Sequence, residues 1–282
     1  MGRGIRKWSD EKISHLQAEG RGQGKGPTYS PWVHVGDFFS SGRTHKAYSH
    51  KTRRVHHFLS DGEWRAFLLF EWAHDVADIR EGFPLPRDIT MEIAMSLGIR
   101  HQYFPKTQVP FVMSLDFLVT RNAHGKERHQ AFNIKCLDDL EDARTVEILE
   151  IARETCMAMD IDHHLIVSEH LPRTKLRNLE WIRDAQLDED TTEPYPGFYG
   201  EHMTKMTQDI RSRRFDGSLV EYCGQYDERY SVEAGVGLRV ARMLLTSRVL
   251  RMDLNNAEPQ LAHMDTFQLT AQPGRLRSVR GG

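Results

Sequence analysis

The sequence predicts a mixed α/β domain followed by a smaller, mainly helical domain. Two stretches with strand periodicity, "VMSLDFLV" and "HQAFNIK", flank a turn-rich segment, and the amphipathic helical stretch "LEDARTVEILEIARETCMAMD" follows them. After residue 170, "LDEDTTEPYPGFYG" is typical of a linker or long loop. We expect domains at 1–170 and 171–270, and a basic, flexible tail at 271–282.

The composition is that of a globular protein. Of the 282 residues, 28% are charged and 39% are hydrophobic, which excludes the disordered and membrane classes. The net charge is only −2, so a nucleic-acid surface would require local segregation of charge. The three cysteines form no paired motif, which disfavours disulfides and a thiolate zinc site. No apolar run is long enough to cross a bilayer, and we expect a cytoplasmic protein.

The elements of the first domain follow from local patterns. Ser60 and Glu63 form a capping-box start for a helix through "AFLLFEW". The segment "VADIREGFPL" indicates a strand ending at Pro84, and "DITMEIAMSLGI" indicates an inserted helix. The hairpin, the long helix and a short buried strand in "HHLIVSEH" complete the domain. The predicted order is therefore helix, three strands, helix, strand.

The second domain shows three helical stretches, around "EHMTKMTQDIRSR", "SLVEYCGQY" and "VEAGVGLRVARMLLTSR". The segments "RVLRMDL" and "TFQLT" come after them and can pair as a two-stranded wing. Three helices and a hairpin describe a winged helix.

A basic stretch without acidic residues lies between Phe38 and Ser60. The candidate DNA contacts in it are Arg43, Lys46, His50, Lys51, Arg53, Arg54 and His56. These side chains suit contacts to phosphates, although a solvated basic loop would have the same composition. The Gly-rich "GRGQGKGPTYSP" before it is predicted to be mobile or extended. Two histidine pairs lack partners at a zinc spacing and are predicted to be phosphate-facing and structural, respectively: His56–His57 and His163–His164.

The candidate chemistry lies on the predicted hairpin. Side chains two residues apart in a strand share a face, so Asn133 and Lys135 should point away from the core. In the partner strand, Asp116 should share their face, opposite an apolar set of Met113, Leu115, Phe117 and Val119. Oxygen ligands of this kind suit Mg²⁺. Lys135 can orient or help deprotonate a water and offset transition-state charge, and Glu63 can complete the metal shell.

Each of these residues also has a structural alternative. Glu63 can serve only as the third helical position of the capping box. Asp116 and Lys135 can form a cross-strand ion pair worth about 0.2–1 kcal/mol. Asn133 can satisfy a neighbouring main-chain group. Spacing alone leaves these alternatives open.

Several blocks of the sequence resemble the TnsA family, the endonuclease subunits of the heteromeric transposases of Tn7-like transposons. The blocks occur in order between about residues 18 and 170: "EGRGQGKGPTYSPW", "SSGRTHKAYSHKTRRVHHFLSDGE", "DIREGFPL" and "MSLDFLV". The resemblance implies a restriction-endonuclease-like, PD-(D/E)xK core in αβββαβ order, followed by a winged-helix-like domain. It also implies an active site at Glu63, Asp116 and Lys135.

One position departs from the pattern of such nucleases, which usually have Glu, Asp or Gln where this chain has Asn133. Asparagine still offers a carbonyl oxygen, but it is neutral and is one methylene shorter than glutamine. The expected catalytic residues are Glu63, Asp116, Asn133 and Lys135. The expected metal ligands are Glu63, Asp116, Asn133 and Ile134, with Mg²⁺ as cofactor and Mn²⁺ as a substitute.

The resemblance further implies hydrolysis of one phosphodiester near each 5′ end of a transposon in double-stranded DNA. The implied partners are a TnsB-like DDE transposase, which cuts the 3′ strand, and a TnsC-like AAA+ ATPase. No membrane partner is expected, and the active protein is expected to associate with the bacterial nucleoid. One alternative is a stand-alone restriction or junction nuclease, which would cut without partners. Another is a non-catalytic DNA-binding assembly subunit, which would not nick DNA.

Overall fold

The computed structural model describes residues 8–37, 43–104, 107–123, 125–187, 192–212 and 214–270. The chain divides into two compact units, one ending at Leu171 and one beginning at Pro172. None of the helices in these ranges has the length and apolar character needed to span a bilayer. The predicted tail at 271–282 lies outside the described residues.

The first unit contains both strands and helices. Its strands are β1 (His45–Ser49), β2 (Arg54–Phe58), β3 (Val76–Pro84), β4 (Ser114–Ala123), β5 (Lys126–Lys135) and β6 (Asp162–Val167). Its helices are α1 (Asp10–Ala18), α2 (Asp61–Trp72), α3 (Arg87–Ser96), α4 (Leu137–Glu141) and α5 (Ala143–Ala158). The predicted long helix is divided because Asp142 caps the start of α5 with its side chain.

A four-stranded mixed sheet in the order β3-β4-β5-β6 forms the centre of this unit. The hairpin predicted from the alternating stretches is present, and its strands are antiparallel. β6 lies parallel to β5 at the edge of the sheet. The strand predicted in "HHLIVSEH" is therefore present, but it is not buried: Asp162, His164 and Leu165 are exposed.

The central sheet is covered on both faces, because helices pack on each side. Phe117 and Phe132 belong to a core with α2, whereas Leu118 and Ala131 belong to a second core with α5. The prediction of a single apolar face was wrong in this respect. Met113 and Leu115 pack in the α5 core, apart from Phe117 and Val119.

α2 begins as predicted. Ser60 is the N-cap residue, and its hydroxyl oxygen accepts a hydrogen bond from the Glu63 N–H at 3.1 Å. The Glu63 carboxylate in turn accepts hydrogen bonds from the Leu59 N–H at 2.9 Å and the Ser60 hydroxyl at 3.1 Å. The capping contacts therefore fix Glu63 in the first turn of the helix.

The Gly-rich segment before β1 is packed against the sheet rather than mobile or extended. Gly22 has a φ of +74°, and a Cβ at this position would lie 2.3 Å from the Pro84 ring. Arg21 forms an ion pair with Asp37, and Trp32 is almost completely buried. Close backbone approach to Pro84 therefore explains a glycine at residue 22.

A buried ionic cluster connects the β1–β2 hairpin to β3. The Glu81 carboxylate is 1% exposed, and both of its oxygens accept hydrogen bonds from the Arg54 guanidinium. His56 Nδ1 lies 2.8 Å from the same carboxylate, and Arg54 also donates to the Ile79 carbonyl at 2.7 Å. Burial acts to raise the pKa of Glu81, but the hydrogen bonds from Arg54 and His56 outweigh it and lower the pKa to about 2.

The second unit is mainly helical. It contains α6 (Arg173–Arg183), α7 (Phe198–Ser212), α8 (Leu219–Tyr230) and α9 (Val236–Thr246), together with β7 (Leu250–Arg251) and β8 (Gln268–Leu269). The three predicted helices are present, and α6 is a fourth that the sequence reading missed. The two predicted wing segments pair as antiparallel strands, but over only two residues each.

We expect Glu81→Gln to reduce the free energy of unfolding by about 3–5 kcal/mol, because it leaves the buried Arg54 charge uncompensated. Urea denaturation at about pH 7 measures this loss. Asp75→Asn is the control, since its 2.7 Å ion pair with Arg121 is partly exposed, with Asp75 44% accessible. The ion pair between Asp75 and Arg121 should contribute less than about 1 kcal/mol to the free energy of unfolding. Similar losses in the two variants would contradict the importance of the buried cluster.

A comparison of wild type with Glu81→Gln also tests the pKa of Glu81. Its folded-state pKa of about 2 lies below the ordinary value of 4.5, so the stabilisation is present above pH 4.5 and disappears as the pH falls towards 2. The stabilities of wild type and Glu81→Gln should therefore converge over this range. A constant difference between them would show that the pKa of Glu81 is not lowered.

Candidate active site

The candidate site lies where β4 and β5 separate. Among the described residues, the two strands pair from Phe117 and Phe132 to the hairpin turn. Before Phe117, β4 continues beside β3, and after Phe132, β5 continues beside β6. The Asp116 carboxylate fills the opening, where its Oδ2 accepts a hydrogen bond from the Ile134 N–H at 2.6 Å.

The structure brings the four predicted catalytic residues together. Asp116 Oδ2 lies 3.3 Å from Asn133 Nδ2 and 3.9 Å from Lys135 Nζ. Asn133 is buried, whereas the side chains of Asp116 and Lys135 are partly accessible, at 21% and 28%. Glu63, at the start of α2, is close enough for the charges of Asp116 and Lys135 to affect its ionisation.

The electrostatics of the site are dominated by its two carboxylates. Burial, and then the neighbouring Asp116 carboxylate, raise the pKa of Glu63 to about 8. Hydrogen bonds from Leu59 and Ser60, and the charge of Lys135, act in the opposite direction without cancelling the increase. Glu63 therefore ionises less readily than an ordinary glutamate when no further cation is bound.

Ile134 can take part only through its main chain. Its side chain is 7% exposed and packs in the core with α2. In an extended strand the N–H and the carbonyl of one residue point to the same side. Since the Ile134 N–H points to Asp116, its carbonyl oxygen faces the same opening.

His163 belongs to this site, although the sequence predicted only a structural role for it. Its Nε2 lies 2.9 Å from Asn133 Oδ1. The parallel pairing of β5 and β6 places His163 beside Ala131, two residues before Asn133. Alternation within "DHHLIV" separates His163 from His164, but only the strand order shows which histidine faces the site.

The predicted DNA contacts include exposed and buried side chains. Arg43, Lys46, His50 and Arg53 are exposed. The prediction for Arg54 and His56 was wrong, because these residues are 7% and 0% exposed and bind Glu81. A basic side chain that neutralises a buried carboxylate is not available to a phosphate.

Lys51 also has partners within the protein. Its ammonium group donates hydrogen bonds to the carbonyls of Phe70 and Ala73, at the end of α2. A cation is stabilised at the C-terminal end of a helix, where main-chain carbonyls lack helical hydrogen-bond partners. Lys51 therefore connects the β1–β2 turn to the end of α2.

A central mixed sheet that holds Asp116 on β4 and Lys135 on β5, with Glu63 at the start of α2, fits a nuclease. The sequence profile of the TnsA-like endonuclease N-terminal domain matches residues 73–168, and that of the TnsA endonuclease C-terminal domain matches 170–254. The transposon Tn7 transposition protein TnsA of Escherichia coli is 34% identical over 254 residues, which cover 90% of each chain. The chain therefore belongs to the TnsA endonuclease family and is a transposition endonuclease.

The ionisation of Glu63 can be measured directly. Carbon-detected NMR titration of the carboxyl groups should give a pKa near 8 for Glu63 in the metal-free protein. Asp116→Asn should lower this pKa, because it removes a neighbouring negative charge, while burial keeps it above 4.5. Asp75→Asn, directly before β3 and paired with Arg121 near the far end of β4, serves as the control that should leave it unchanged. A Glu63 pKa that does not respond to Asp116→Asn would contradict the proximity of the two carboxylates.

Proposed function

We propose that this endonuclease hydrolyses one phosphodiester near each 5′ end of a transposon, with a divalent cation as cofactor. The observation that carries the proposal is the meeting of Glu63, Asp116 and Lys135 where β4 and β5 separate. The first unit is proposed to be a restriction-endonuclease-like catalytic domain, 1–170. The second is proposed to be a winged-helix-like domain, 171–270.

The residues present fit a hard divalent cation. Within the ranges that the structure describes, no three or more His, Cys, Asp and Glu side chains are grouped to hold a metal. Mg²⁺ needs only one or two carboxylates, since water and substrate phosphate complete its shell. Glu63 and Asp116 would supply the carboxylates, and a bound cation would favour the ionised form of Glu63, whose pKa is raised by burial and then by the nearby Asp116 carboxylate. Of the two remaining predicted ligands, Ile134 would contribute its main-chain carbonyl, whereas the amide oxygen of Asn133 lies 2.9 Å from His163 Nε2.

The side chains would divide the chemistry between them. A bound cation would polarise the scissile phosphate and favour ionisation of water. Lys135, which is partly accessible beside Asp116, would orient the attacking water and offset the negative charge that develops on the phosphate. Glu63 and Asp116 would position the cation, and Glu63 would release its proton on binding it.

We propose that double-stranded DNA reaches the site along the exposed basic residues of the β1–β2 hairpin. β1 begins beside α2, where His45 Nε2 lies 2.6 Å from the Asp61 carboxylate. Arg43 and Lys46 would therefore contact phosphates close to the first turn of α2, and His50 and Arg53 would do so at the hairpin turn. A TnsB-like transposase that cuts the 3′ strands and a TnsC-like AAA+ ATPase are the proposed partners.

Lys135→Ala should reduce 5′-strand nicking by about 100-fold or more, the scale of losing one group that stabilises transition-state charge. Stability should change by less than about 1 kcal/mol, since the lost ion pair is long and partly exposed. The 3′ strands would still be cut and joined while the 5′ ends stay attached to donor DNA. Replication would then give cointegrates instead of simple insertions, and long-read sequencing of insertion products distinguishes the two.

Lys126→Ala provides the matched control, because it removes an exposed lysine from the opposite end of β5. This variant should still give simple insertions. If Lys135→Ala also gave mainly simple insertions, both the residue assignment and the strand assignment would be wrong. If wild type gave cointegrates, the proposal that this chain cuts the 5′ strands would fail.

The exposed basic residues generate a separate prediction. Replacing both Lys46 and Arg53 with Ala should weaken DNA binding and reduce the slope of log K against log salt by about 2, close to 0.9 per phosphate contact. Lys51→Met is the control, because Lys51 contacts the end of α2 and should affect stability rather than the slope. An unchanged slope in the double variant would assign these residues to a solvated loop.

A further inference from the structure

The contacts on Asp116 are not shared equally between its two oxygens. The Ile134 N–H, the Asn133 amide and the Lys135 ammonium all approach Oδ2, at 2.6, 3.3 and 3.9 Å. No donor from the described part of the chain contacts Oδ1. The protein thus holds one oxygen of the carboxylate and leaves the other without a donor from the described residues.

The orientation of the Asn133 amide follows from its two neighbours. Its Nδ2 faces the Asp116 carboxylate, and its Oδ1 faces His163 Nε2 at 2.9 Å. The reversed amide would place two acceptor oxygens against each other, which is unfavourable next to an ionised carboxylate. Since Oδ1 only accepts, Nε2 of His163 must carry the proton.

On these contacts, and resting on the proposed function, we propose that His163 is a positioning residue that acts through Asn133. His163 fixes the Asn133 amide, and the amide holds Asp116 Oδ2, so that Oδ1 remains available to a divalent cation. In this arrangement Asn133 is a hydrogen-bond donor to a metal ligand and is not itself a ligand. This assigns roles to His163 and Asn133 that differ from the predicted ligand set.

β6, the strand beside β5, also contains the residue for a control variant. His164 is adjacent to His163, but alternation places it on the opposite face, where its ring stacks on Phe132 with centroids 5.1 Å apart. It contacts Gln130 and not Asn133. His164→Ala therefore removes an imidazole from the same strand without removing the contact to the site.

Calorimetry with MnCl₂ and the full chain tests the proposal. Loss of a group that orients a metal ligand typically weakens metal binding by about 10-fold to 100-fold. We expect His163→Ala to weaken Mn²⁺ binding by about tenfold and His164→Ala to leave it unchanged. His163→Gln should restore most of the affinity, because its amide can donate to Asn133 Oδ1. Equal affinity of His163→Ala and wild type for Mn²⁺ would overturn the proposal. A folded His163→Gln variant that binds Mn²⁺ no more tightly than His163→Ala would also overturn it.

A double-mutant cycle tests whether His163 acts through Asn133. If His163 acts only through Asn133, the effect of His163→Ala should disappear in an Asn133→Leu background. If Asn133 were an independent ligand, the two losses would multiply, and the proposal would be wrong.

A metal-free measurement separates this inference from the proposed function. Long-range ¹H–¹⁵N correlation spectra of the metal-free chain report which imidazole nitrogen of His163 is protonated. We expect the Nε2-protonated form in wild type and a change in its resonances in Asn133→Leu. The Nδ1-protonated form would overturn the role of His163 whether or not Mn²⁺ binds. If wild type bound no Mn²⁺ but showed the Nε2-protonated form, the cation proposal would fail and the contact between His163 and Asn133 would stand.

Discussion

The hydrogen bond from the Ile134 N–H to the Asp116 carboxylate is the contact on which the rest of the site depends. A strand that leaves its neighbour exposes main-chain donors, and a buried donor without a partner costs about 1–3 kcal/mol. Asp116 supplies the missing acceptor at 2.6 Å, so β4 can separate from β5 without that loss. The residue that makes the opening possible is thus the residue whose carboxylate faces into it. The same carboxylate serves the structural role and the proposed catalytic one, so the ion-pair alternative and the catalytic proposal do not exclude each other.

The basic residues before α2 are close together in the sequence but have different environments in the structure. Arg54 and His56 neutralise Glu81 inside the unit, while Lys51 contacts the end of α2. Alternation in β2 explains the division, because Arg54, His56 and Phe58 point inward and Val55 points to solvent. The same hairpin therefore anchors α2, and with it Glu63, while Lys46 and Arg53 are exposed to solvent.

Local patterns in the sequence were sufficient for most elements of the first unit. The capping residues of α2, the strand ending at Pro84 and the β4–β5 hairpin each depend on nearby residues, and so each was predictable. The coverage of both sheet faces, the place of β6 beside β5 and the involvement of His163 depend on contacts between distant segments. Glu81 was missed for the same reason, since its partner Arg54 is 27 residues away in the sequence. α6 was missed although its buried positions, Leu176, Leu179 and Ile182, have the spacing of an amphipathic helix.

The charge of the site offers a reason for an asparagine at residue 133. Burial, and then the nearby Asp116 carboxylate, already raise the pKa of Glu63 to about 8. A carboxylate at residue 133 would add another negative group beside Asp116 and would raise the pKa of Glu63 further. A neutral amide avoids that repulsion and can donate a hydrogen bond to Asp116, which a carboxylate cannot do when ionised. Its short side chain reaches Asp116 and His163 at once, at 3.3 and 2.9 Å. The asparagine at residue 133 therefore fits a site in which an uncharged amide holds the Asp116 carboxylate by a hydrogen bond, instead of a site with one more oxygen ligand.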